Sequence, residues 1–248
     1  MKNNRNKFSA RTLALFAAAI LLMSTGGFWG TRAALNAVSP NGDATLETNA
    51  IDIDMVGADN KALDTENIMS DVKKVIPGSN YDKGIKVQNK AADAYVRVVV
   101  QKYWKDAKGN KTNEIEPTQI MLLNGGKDIT DDKWTSGGGW IRSKDESTAE
   151  TEVFYYSSML KSGATSDPLF TAVRVDEKVL SKVTTNPPQQ GKDENHTIIT
   201  YKYKYDGYSL CISAEAQAVQ THSAVKAMKS LWGVDASMSG DSITGISR

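Results

Sequence analysis

The chain has 248 residues, 30 basic and 29 acidic side chains, a net charge of +1 and a single cysteine. Five of the basic residues (Lys2, Arg5, Lys7, Arg11 and Arg32) fall within positions 1–33, so the rest carries 25 against 29, a net of −4. That mildly acidic, mixed surface excludes nucleic acid as a partner, since phosphates require a basic face. The lone Cys211 excludes an internal disulfide and leaves the fold to packing.

In chain order, the first element is an export signal. Four positive charges precede an apolar run from Leu13 to Met23, followed by the small residues Ser24, Thr25, Gly26 and Gly27. The run is too short for an ordinary membrane span. Thr31 and Ala33 supply small side chains at −3 and −1, so cleavage is expected between Ala33 and Ala34. No second apolar stretch of about 18 residues follows, so the chain should meet a membrane only before cleavage. Pro40-Asn41-Gly42 then marks a break.

Strands begin at Ile51. Strict alternation puts Ile51, Ile53 and Met55 on one face and Asp52 and Asp54 on the other, read as a solvated face rather than a calcium site. Pro77-Gly78 predicts a turn before the strand Ile85–Gln88, and Asn89-Lys90 another. Ala94–Trp104 is β-branched and aromatic throughout, which predicts a central strand covered on both faces. Further strands are expected at Ile120–Leu123, Glu152–Tyr156 and Leu169–Val175. Between Trp134 and Trp140, Thr135–Gly139 reads as a hairpin turn or linker, because no phosphate-loop pattern surrounds it. Asp206-Gly207 predicts a hairpin joining Thr197–Tyr205 to Tyr208–Ala216. From Gln217 to Trp232 the pattern turns helical, with Ala218, Val225, Met228 and Leu231 near one apolar face. The fold class predicted is all-β: a two-sheet antiparallel sandwich, jelly-roll-like or Greek key, occupying 47–248, with a short C-terminal helix and the signal peptide at 1–33.

Chemistry is sparse. His196 and His222 are 26 positions apart and no H-E-x-x-H occurs, so the usual zinc-protease constellation cannot be built. Both histidines read as solvated, and Cys211 as a small buried hydrophobe. No G-x-S-x-G appears. The sequence predicts no catalytic set, no metal ligands and no cofactor.

Several short segments, taken in order, resemble the TasA/camelysin family of biofilm-matrix and cell-surface proteins. They are Gly26-Gly27-Phe28-Trp29, Ala34-Leu35-Asn36, Asp43-Ala44-Thr45-Leu46, Ile51-Asp52-Ile53, Ile76-Pro77-Gly78, Val87-Gln88-Asn89 and Asp93–Arg97. The likeness resumes at Tyr155-Tyr156, Leu160, Gly163, Thr165 and Pro168-Leu169-Phe170, and continues at Ser213–Gln220. Trp232-Gly233-Val234 is similar to the ending of the anaerobe-type biofilm members, and residues 105–150 are least covered.

The resemblance implies release by a SipW-type signal peptidase, a secreted location in the extracellular matrix or at the cell surface, and a jelly-roll subunit that polymerises with copies of itself. It also implies a polymerisation arm at 34–46, with Ala34, Leu35, Val38 and Leu46 as its apolar contacts, added as a strand to the next subunit. Pro40 and Gly42 depart from an ideal strand, and Asn49 stands where a glycine is expected. The alternatives are an accessory subunit that anchors or caps fibres, working with other fibre proteins, and a camelysin-like metalloprotease. The ending Thr244–Arg248 carries no sorting motif, so wall attachment through that end is not expected.

Overall fold

The computed structural model describes residues 51–181, 189–192, 197–200 and 207–248. The signal peptide, the proposed arm at 34–46 and His196 lie outside the described residues. Most of the regular structure described consists of antiparallel strands. These are β1 (Ile53–Gly57), β2 (Asn80–Tyr81), β3 (Ile85–Asn89), β4 (Ala94–Lys105), β5 (Lys111–Thr112), β6 (Ile120–Asn124), β7 (Lys127–Asp128) and β8 (Ser136–Gly137). They continue with β9 (Trp140–Arg142), β10 (Thr151–Tyr156), β11 (Ala172–Val175), β12 (Gln189–Lys192), β13 (Thr197–Thr200), β14 (Ser209–Gln220), β15 (Asp235–Ser239) and β16 (Ser242–Ser247). The helices are short, α1 (Lys178–Ser181) and α2 (Ala224–Trp232).

One sheet runs β14-β4-β10-β9-β8, with β5 also on β4; a second runs β2-β11-β6-β7. β4 organises the first sheet. Its twelve residues, about 40 Å of strand, pair along their whole length with β14, and Arg97 to Gln101 pair with β10. Alternation sends Val96, Val98, Val100 and Trp104 into a core shared with Ile120 and Leu122 of β6, Val173 and Val175 of β11, and Ile85 and Val87 of β3. Tyr95 and Val99 point the other way, into a smaller cluster under α2 and the β15–β16 hairpin. Coverage on both faces is what a near-continuous apolar strand requires.

β1 pairs with β3, Ile53 and Met55 pack on the shared core, and Asp52 and Asp54 are exposed, as alternation predicted. Gly138 and Gly139, both at positive φ (+57° and +79°), make a two-residue turn between β8 and β9. A side chain on Gly139 would meet the Tyr156 ring at 2.8 Å. Cys211 is buried in β14.

The structure corrects three expectations. Helix does not begin at Gln217, because Gln217–Gln220 continue the β14 ladder opposite Arg97–Ala94 and bury Val219. The ladder bonds and that burial outweigh the helical pattern, and Ala218 sits on a strand facing the shared core. The helix face also differs: Ala224, Met228 and Trp232, at i, i+4 and i+8, are buried, whereas Val225 and Leu231 are 42% and 61% exposed. The helix is followed by the β15–β16 hairpin, which shares the apolar cover of the sheet, with Ile243 and Val234 beside Met228. As for the Asp206-Gly207 hairpin, the described part of its first limb, β13, pairs with β12, and 201–206 lie outside the described residues.

Candidate functional site

The expected site residues Ala33, Ala34, Leu35, Val38 and Leu46 lie outside the described residues. His222 is exposed in the turn before α2, and among the described residues no group of three or more metal-ligating side chains comes together. No helix among them is long and apolar enough to cross a membrane.

Two polar networks do stand out, one on each face of the first sheet. The inward one joins three neighbouring strands. Lys102 of β4, Glu152 of β10 and Arg142 of β9 are buried among apolar side chains, and the Lys102 and Glu152 side chains are each only 2% exposed. Lys102 Nζ lies 3.0 Å from Glu152 Oε1 and donates at 3.1 Å to the Ile120 carbonyl. Arg142 Nε donates to Glu152 Oε2 at 2.8 Å, and its Nη1 reaches the exposed Asp132 at 3.5 Å. One carboxylate therefore bridges two cations in a site from which water is largely excluded. Desolvating such groups costs several kcal/mol per ion and is repaid only by close, complete hydrogen bonding. Register explains the meeting: Glu152 stands opposite Val100, two residues from Lys102 and so its diagonal neighbour on the same face, and Phe154 stands opposite Arg142.

The outward network lies beside α2. Arg97 Nε and Nη2 donate to Gln217 Oε1 at 3.0 and 2.6 Å, and Nη1 donates to Glu146 Oε1 at 3.0 Å. Tyr155 donates its hydroxyl proton to Glu146 Oε2 at 2.7 Å. The Arg97 guanidinium also stands 5.0 Å from the Trp232 ring, which meets Tyr155 edge-on. Burial pushes the Tyr155 phenol above its ordinary range; Arg97 pulls it back, and Glu146 adds to the rise. The network pins the C-terminal layer to the sheet.

Sequence reasoning missed both networks. It took Lys102 as one letter of an apolar run, although alternation from Val96 through Val98 and Val100 already placed it on the core face. Glu152 shares its face with Phe154 in the same way.

β14 ends the described path of the first sheet. Its far side receives backbone bonds from the segment after β1: Ala214 N–H donates to Thr65 O (2.9 Å) and Ile68 N–H to Ile212 O (2.8 Å). The chain matches no protein-family model and no curated protein sequence.

Proposed function

We propose that this protein is an exported structural subunit of extracellular fibres, a jelly-roll relative of the TasA/camelysin proteins, assembling by addition of its N-terminal arm to a neighbouring subunit. The observation that supports the reading is a domain of antiparallel β-sheets, one six-stranded and one four-stranded among them, that follows the predicted signal and arm in the sequence. Strand addition requires a sheet with an edge and a segment free to dock there. β14, twelve residues long, ends the described path of its sheet. The segment after β1 holds its outer side at Ile212 and Ala214, so an incoming strand would add beyond those positions or displace that segment. The segment 34–46 offers Leu35, Val38 and Leu46 among polar neighbours, too little apolar surface to offset the entropy of ordering alone. Docked, it gains ladder hydrogen bonds worth about 0.5–1.5 kcal/mol each. A SipW-type peptidase releases the arm, so assembly waits for export. The test is negative-stain electron microscopy of the purified mature protein alone. Filaments are expected; a protein that stays monomeric over all concentrations tried is an accessory subunit or something else.

A further inference from the structure

The Lys102–Glu152 contact has the makings of a covalent site. Its amine and carboxylate sit on adjacent strands, 3.0 Å apart, with each side chain 2% exposed. Amide formation between a free amine and a free acid is unfavourable in bulk water, but both terms that oppose it are weakened here. Fixing the partners on two hydrogen-bonded strands raises their effective concentration, which for well-aligned intramolecular reactants reaches about 10⁵–10⁸ M. Burial penalises the ionised reactants and not the neutral product.

We propose that Lys102 and Glu152 condense to an intramolecular amide that staples β4 to β10. The ammonium passes one proton to Oε1 across the existing contact. The neutral Nζ then attacks Cδ, forming the C–N bond. A second Nζ proton moves to the departing oxygen, the C–O bond breaks, and one water leaves; nothing is oxidised or reduced. Arg142 Nε, 2.8 Å from Oε2, stabilises the negative charge that builds on that oxygen during the attack. Every polar group stays satisfied in the product. Oε2, now the amide carbonyl, keeps Arg142, and the remaining N–H keeps the Ile120 carbonyl that Lys102 already contacts at 3.1 Å. Two buried charges disappear, and Arg142 retains the exposed Asp132 at its outer end. With Cys211 the sole cysteine, a disulfide is not open to this domain, and an amide closing the loop from 102 to 152 would constrain the unfolded chain as a disulfide does.

The test is intact-mass spectrometry of the natively purified protein, with its N-terminus fixed by sequencing, followed by protease mapping. The expected mass is lower than the sequence mass by one water, and the digest contains a branched peptide joining the segments that carry Lys102 and Glu152. The Lys102→Arg variant should regain the full sequence mass. A folded wild-type protein at full sequence mass overturns the proposal. So does a lost water that maps to the Asp206-Gly207 dipeptide, where a cyclic imide has the same mass.

Discussion

Truncating Met228 to alanine tests the orientation of α2 and the role of the C-terminal layer. Met228 is fully buried, in a cluster with Tyr95, Val153, Tyr155, Val219 and Trp232. Removing its side chain loses the transfer energy of the deleted atoms and leaves a cavity, together about 2–5 kcal/mol. Leu231, 61% exposed on the same helix, should change stability by no more than about 0.5 kcal/mol when made alanine. At roughly 2–4 °C per kcal/mol for a domain of this size, Met228→Ala should lower Tm by about 4–20 °C and Leu231→Ala by under about 2 °C. Urea denaturation followed by tryptophan fluorescence reads both, because Trp232 lies in the affected cluster. A Leu231→Ala loss equal to or above that of Met228→Ala would show the helix rotated onto the face that sequence periodicity suggested.

Three further outcomes are expected. The raised Tyr155 phenol binds its proton more tightly folded than unfolded, so its stabilisation is complete below about pH 10 and is lost as pH rises above that. Tyr155→Phe should flatten that alkaline decline in pH-dependent urea midpoints; an unchanged decline would assign it to other groups. Gly139→Ala, at φ +79° and facing the Tyr156 ring at 2.8 Å, should cost about 1–3 kcal/mol, and a neutral thermal shift would contradict the turn geometry. N-terminal sequencing of secreted protein should begin at Ala34, and a start more than a few residues away sinks the proposed cleavage.

The longer sheet strands β3, β4, β6, β10 and β14 were legible because hydrophobic periodicity reports burial directly, whereas β9 and the β15–β16 hairpin were not expected. β4 could be placed as a doubly covered central strand from Ala94–Trp104 alone. What periodicity cannot report is which rule wins at a boundary. Gln217–Gln220 has helix-compatible residues, but its partner Ala94–Arg97 lies some 120 positions away, and only that ladder reveals the strand. Helix phase failed for a related reason. Met228 was placed on the apolar face and is buried there, but Val225 and Leu231, grouped with it, are exposed, because the sheet face and Val234 and Ile243 of the C-terminal layer select the stripe Ala224, Met228 and Trp232. The charge network was hidden differently. A lysine or glutamate in a strand ordinarily faces water, and nothing local says that Lys102, Glu152 and Arg142, from three separate strands, will neutralise one another.

Deletion of residues 34–42 from the mature protein tests the fibre account most directly, with filament formation followed by electron microscopy and folding by far-UV circular dichroism. The account predicts an unchanged spectrum, a monomer in solution and no filaments, with assembly restored by adding back the wild-type subunit. A truncated protein that polymerises at the wild-type rate would contradict strand addition by the N-terminal arm.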